Sequence, residues 1–210
     1  MVCRHDDVTF VGGCGLVAEM EGNVAEAASR EEWDKVKDLV DKGGDVNIRD
    51  GQGLTALHHA VDRTNVEMCK FLLGHGADVA VRDKDGNMAI SRAILSRGLN
   101  SLDVVRLLLT DVTVNAVNNC ADKDGNQPLH IACKKSKIEI GKVLVSHGAD
   151  VAAINGQNVS PFQLASQRCG NNPDLCLALY KAGLTLIQTE HICQALEVAF
   201  SKKINLLVGY

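Results

Sequence analysis

Eight cysteines and seven histidines carry most of the reactive chemistry in this chain. Thiolates and imidazoles together make zinc sites, and a thiol beside an imidazole makes a nucleophile. The spacing supports neither. Among Cys3, Cys14, Cys69, Cys120, Cys133, Cys169, Cys176 and Cys193 there is no C-x-x-C and no Cys/His set at zinc-ligand intervals. His58 and His59 are adjacent, so on a helix they point to different sides and do not readily chelate one ion. His75 and His147 each precede a glycine, where an imidazole in a last helical turn suits the carbonyl-rich end. No histidine has a nucleophile or carboxylate at a telling interval, and neither a phosphate loop nor a G-x-S-x-G elbow is present. The expectation is no catalytic activity, no cofactor and no metal. Cysteines used without pairing point to a reducing compartment, the cytosol or nucleus.

The elements that position these residues repeat. Thr55-Ala56-Leu57-His58-His59-Ala60 returns as Met88-Ala89-Ile90-Ser91-Arg92-Ala93, Gln127-Pro128-Leu129-His130-Ile131-Ala132 and Ser160-Pro161-Phe162-Gln163-Leu164-Ala165. The steps between them are 33, 39 and 33 residues, one period with a six-residue insertion. Each motif leads to a second apolar run such as Met68-Cys69-Lys70-Phe71-Leu72-Leu73, then to Gly74-His75-Gly76-Ala77-Asp78-Val79, which Ser146-His147-Gly148-Ala149-Asp150-Val151 copies. Glycine at 76 and 148 can take the left-handed conformation that closes a helix. Asp50-Gly51-Gln52-Gly53, Asp83-Lys84-Asp85-Gly86 and Asp122-Lys123-Asp124-Gly125 read as projecting turns.

A 33-residue period carrying T-P-L-H-x-A resembles the ankyrin repeat family. The resemblance implies an all-α ankyrin-repeat solenoid, with stacked helix-turn-helix units and β-hairpin loops. Its units are expected at about 21–49, 50–82, 83–121, 122–154 and 155–187, with a C-terminal cap at 188–210 and a flexible arm at 1–20. The charged run Glu31 to Val40 suits the polar face of a terminal unit. Insertions near Gly98-Leu99-Asn100 and Val112 to Ala121 fall in surface loops. Asn155-Gly156-Gln157-Asn158 lacks the fourth-position glycine, which makes its hairpin the weakest expectation. Cys69 and Cys133 fall on helices as small buried side chains. For His58 and His130 the resemblance implies hydrogen bonds to backbone between neighbouring units.

Composition bounds the remaining classes. With 46% hydrophobic and 3% aromatic residues, the core is built of Ala, Leu, Val and Ile layers. A net charge of −4 and a pI near 6.0 give no reason to expect nucleic-acid binding. No apolar stretch approaches the roughly 20 residues that span a bilayer, so membrane insertion is not expected. The segment from Val8 to Ala18 contains three glycines and follows Asp6-Asp7, which argues against a signal peptide. Val2 excludes N-terminal myristoylation. Met1 reads as a true start, while the apolar ending Leu206-Leu207-Val208-Gly209-Tyr210 looks abrupt.

What the resemblance implies is a preformed concave face that binds one or more partner proteins. Its contact positions at the hairpin tips are Arg49, Gln52 and Leu54; Arg82, Lys84, Asp85 and Asn87; Lys123, Asp124 and Asn126; and Gln157 and Val159. At the inner-helix ends they are Asp62, Arg63, Leu95, Ser96, Lys134, Lys135, Gln167 and Arg168. Arg49, Arg82, Lys84, Lys123, Lys134 and Lys135 form a loosely basic set, either a solvated face or a surface for an acidic patch. Asn47, eight residues after Leu39, resembles ankyrin asparagines modified by a cytosolic asparaginyl hydroxylase; Asn115, eight after Leu107, is a weaker match. Three functional readings follow: a non-catalytic adaptor or scaffold, a stoichiometric ankyrin-type inhibitor of a kinase or transcription factor, or the ankyrin portion of a larger multidomain enzyme or channel.

Overall fold

Short helices of six to twelve residues cannot hold alone in water, so this chain has to stack them. The computed structural model describes residues 23–111, 118, 120–168 and 173–184. The arm expected at 1–20, the cap at 188–210 and Asn115 lie outside them, as do most of the insertion after Val112 and the connection around Asn171. Ten helices occur among the described residues, in five consecutive pairs: α1 (Val24–Ser29) with α2 (Trp33–Asp41), α3 (Ala56–Asp62) with α4 (Val66–Gly74), α5 (Ala89–Leu95) with α6 (Ser101–Asp111), α7 (Pro128–Lys134) with α8 (Ile138–Ser146), and α9 (Pro161–Arg168) with α10 (Pro173–Leu184).

The first helices of each pair pack in one row, α1 on α3 on α5 on α7 on α9; the second helices α4, α6, α8 and α10 pack in another. Alanines let the inner row approach closely: Ala56, Ala60, Ala93 and Ala132 are fully buried. Leu57, Leu72, Val104, Leu108 and Leu144 are likewise sealed in one continuous cluster. Only Val36 and Val40 of α2 are buried, so the first pair turns a charged outer face to solvent.

The outer helices α4 and α8 end as their glycines dictate. Gly76 and Gly148 take φ of +83° and +79°. The N–H of Gly76 reaches the Leu73 carbonyl and that of Ala77 the Leu72 carbonyl, both at 3.0 Å. These bonds satisfy carbonyls that the helix end leaves without partners.

Between paired helices the turns use residues other than glycine: Glu31, Thr64 and Ser136 sit at φ of +61°, +50° and +55°. A β-branched residue such as Thr64 enters that region only under the constraint of its surroundings. The third pair breaks this pattern, connecting its helices through the longer segment 96–100.

The projecting loops close as tight hairpins without extended strands among the described residues; a single bridge pairs Arg82 with Met88. In each, the first residue donates its N–H to a carbonyl four residues on: Asp50 to Leu54, Asp83 to Asn87, Asp122 to Asn126 and Asn155 to Val159, at 2.9 to 3.1 Å. The fourth hairpin therefore forms. Asn155 supplies the turn oxygen that Asp gives elsewhere, and Asn158 takes φ +62° where the others have glycine.

Candidate protein-binding surface

One carboxylate oxygen organises each of the first three hairpins, and the Asn155 amide oxygen takes that place in the fourth. Asp50 Oδ1 accepts from the N–H groups of Gln52 and Leu54, Asp83 Oδ1 from Asp85 and Asn87, and Asp122 Oδ1 from Asp124 and Asn126. In Asp50 and Asp83 the second oxygen is spent on the helix behind, while that of Asp122 accepts from Asn126 of its own hairpin. His59 Nε2 lies 2.8 Å from Asp50 Oδ2, and Arg92 Nη1 donates to Asp83 Oδ2 at 2.7 Å. Arg92 also donates from Nε to Asp62 at 3.0 Å and from Nη2 to its other oxygen, joining two units. Burial raises the pKa of the Asp50 and Asp83 carboxyls, but hydrogen bonds from the turn N–H groups and from His59 or Arg92 outweigh it and leave both below the ordinary value. Sequence reasoning missed Arg92; the signal was its place at the fifth motif position, where the preceding unit has His59.

The hairpin tips are tied to one another. Lys84 Nζ donates to the Gly51 carbonyl at 2.6 Å, Lys123 pairs with Asp85 at 3.2 Å, and the Gly156 N–H donates to the Asp124 carbonyl at 2.8 Å. Arg82 Nη1 donates to the carbonyls of Gly86 and Ala121. Half of the expected basic set thus fastens the ledge. Two expected contacts are corrected outright. Leu54 is 5% exposed and belongs to the core, and Asn126, equally buried, bridges hairpins by donating to Asp122 at 3.1 Å and accepting from Asn155 at 2.8 Å. Asp62 is held by Arg92, and Arg63 pairs with Glu31 at 2.9 Å.

Arg49, Gln52, Asp124, Lys134, Lys135, Gln157 and Gln167 are exposed, Asn87 is half-buried, and their side chains have no partner among the described residues. They lie along the tips and inner-helix ends. The side chain of Arg168 lies outside the described ones.

Between outer-helix ends, asparagines bridge. Asn47 Nδ2 donates to the Gly76 carbonyl at 3.1 Å and its Oδ1 accepts from the Asp78 N–H at 2.7 Å. Asn118 makes the same pair of bonds with Gly148 and Asp150, a role the insertion hid from the repeat count.

A sequence model of ankyrin repeats, in three copies, matches residues 24–118 and again 113–189. The chain belongs to the ankyrin-repeat family. It is 29% identical over 163 residues to alpha-latrocrustotoxin-Lt1a of Latrodectus tredecimguttatus, covering 77% of this chain and 11% of the toxin. It is 27% identical over 186 residues to the palmitoyltransferase AKR1 of Lachancea kluyveri, covering 87% of this chain and 24% of that protein. The chain therefore spans a quarter or less of these relatives.

As ankyrin histidines, His58 and His130 are structural and unequal. The Nδ1 of each accepts the N–H of its own motif's first residue, Thr55 or Gln127, which puts the proton on Nε2. His130 Nε2 then donates to the Val159 carbonyl of the next unit at 3.1 Å. The His58 Nε2 is buried without a hydrogen-bond partner. Burial lowers the pKa of both imidazoles.

The ankyrin cysteines Cys69, Cys120 and Cys133 are buried reduced thiols. Burial pushes them up to about 12, 11 and 12, so none is a thiolate nucleophile at neutral pH. Cys176 departs from the unpaired expectation, being disulfide-bonded. Among the described residues no group of three or more His, Cys, Asp or Glu could hold a metal, and no helix is long and apolar enough to cross a membrane.

Proposed function

We propose that this chain is a non-catalytic adaptor or scaffold that binds a partner protein along its hairpin tips and inner-helix ends. The observation that carries the reading is the bonded ledge: Lys84 to Gly51, Lys123 to Asp85 and Gly156 to Asp124 hold four successive tips in one arrangement. A surface ordered in advance avoids the entropy that a flexible one loses on association. Uncommitted polar side chains at Gln52, Asp124, Lys134, Lys135, Gln157 and Gln167 supply its recognition chemistry. Buried reduced thiols at Cys69, Cys120 and Cys133 support a cytosolic or nuclear location, and the disulfide at Cys176 is the observation against it. Hydroxylation of Asn47 belongs to the same set of proposals; an added oxygen in the mass of the native protein is its test.

The test of the main reading is capture from native lysate by the chain and by Gln52→Ala/Lys134→Ala/Lys135→Ala, once both melt alike. Proteins lost selectively from the variant support it. Identical captured sets, or none, overturn it. A second reading, the ankyrin portion of a longer protein, is favoured by the short share of each relative that the chain spans. The size of the native product tests it.

A further inference from the structure

The turns that connect inner to outer helices lie side by side along one edge of the stack. A Cβ on Gly98 would collide with the Thr64 hydroxyl and methyl, so the loop of the third pair packs directly on the turn of the second. On its other side, Lys137 Nζ donates to the Ser96 carbonyl at 3.2 Å. The loop is pinned internally as well, by Ser96 Oγ donating to the Ala93 carbonyl at 2.9 Å and the Ser101 N–H to that of Gly98 at 3.3 Å.

This fixed loop presents Leu99 completely to solvent, and Leu95, four residues earlier, is 41% exposed. Arg97 between them is exposed, as are Lys134 and Lys135 at the neighbouring turn, and none of the three has a partner among the described residues. Nearby carboxylates are committed: Glu31 to Arg63, Asp62 to Arg92 and Glu139 to Lys142. Asp103, in the first turn of α6, is the one acid between residues 96 and 104.

We infer that this edge, Arg97, Leu99, Lys134 and Lys135, docks an acidic protein segment that carries an apolar anchoring side chain. The inference rests on the protein-binding reading above and names the kind of partner. Charge complementarity sets the sign of the partner, and apolar anchors carry most of the energy of such contacts. A polyphosphate would gain nothing from Leu99 and would meet a chain of net charge −4.

The experiment selects a random-peptide library on the full chain and measures the enriched peptide against Leu99→Ser and Arg97→Ala/Lys134→Ala/Lys135→Ala. Leu99 is fully exposed, so its replacement leaves folding intact. Enriched peptides should be rich in Asp and Glu around a Leu, Ile or Phe. Each variant should weaken binding about tenfold or more, a loss of about 1.4 kcal/mol, and added salt should weaken it further. Peptides without acidic bias, equal binding to both variants, or capture of anionic vesicles or single-stranded nucleic acid in their place would overturn the inference. If it fails while the lysate capture still depends on Gln52, Lys134 and Lys135, the adaptor reading stands and only the partner chemistry falls. If the capture fails too, both fall.

Discussion

Arg92 reaches across a unit boundary to Asp62, donating from Nε and Nη2 to the two carboxylate oxygens, while its Nη1 holds Asp83. The Asp83 side chain is 3% exposed, that of Asp62 33%. Arg92→Ala leaves a buried carboxylate without its cation and should cost about 3 kcal/mol. Asp62→Ala, losing a partly solvated partner, should cost about 1 kcal/mol or less. Urea unfolding of the two variants checks the ranking, and equal losses would contradict it.

Asn158 takes φ +62° at the place where Gly125 takes +76°. Glycine enters this region without strain. Asn158→Gly should therefore be neutral or stabilising by up to about 1 kcal/mol, the gain limited by the entropy glycine adds to the unfolded chain. Gly125→Ala should destabilise by more, because its Cβ would sit 2.6 Å from the Gly156 nitrogen. Thermal melts of both variants give the signs.

His130 and Ser91 hold the same motif position with opposite accounts. The His130 imidazole spans two units, and its removal strands the half-buried Gln127 N–H and Val159 carbonyl; His130→Ala should cost about 1 to 3 kcal/mol. The Ser91 hydroxyl is buried without a partner, so Ser91→Ala should be neutral or stabilising by about 1 kcal/mol. A destabilised Ser91→Ala in chemical denaturation would mean that the hydroxyl is bonded.

Stability should fall with acid in two stages. The native pKa values of His58 and His130 lie below 6.5, so between those values and 6.5 the unfolded chain binds more protons, and stability is lost as pH drops through that window. Asp50 and Asp83, held below 3.8, contribute stability above 3.8 that disappears as pH falls through their native values. His130→Gln should flatten the first stage. Glutamine keeps the turn bond, as Gln163 does by accepting the Ser160 N–H at 2.8 Å, but does not titrate. The pH dependence of Tm for the two proteins is the measurement.

The period carried the fold. Leu72 and Leu144 are fully buried, and Gly76 and Gly148 lie at positive φ, as the second apolar run and its glycine punctuation require. Which polar side chains the stack itself consumes was not legible. Lys84 and Lys123 find partners 33 and 38 residues away, and that choice depends on side-chain reach across a unit boundary rather than on periodicity. Treating every hairpin position as outward-facing put Leu54 and Asn126 on the wrong side, since residues along such a loop alternate between core and solvent. Asn118 was hidden because the insertion before it shifts the 33-residue count, although it repeats the bonds of Asn47.

Hydrogen exchange of the chain with and without its captured partner tests the binding face directly. The account predicts new protection at the tips, residues 51–53, 84–87, 123–125 and 156–158, and at the inner-helix ends near 62–63, 95–100 and 134–136. Protection confined to the outer helices α2, α4, α6 and α8 would contradict it.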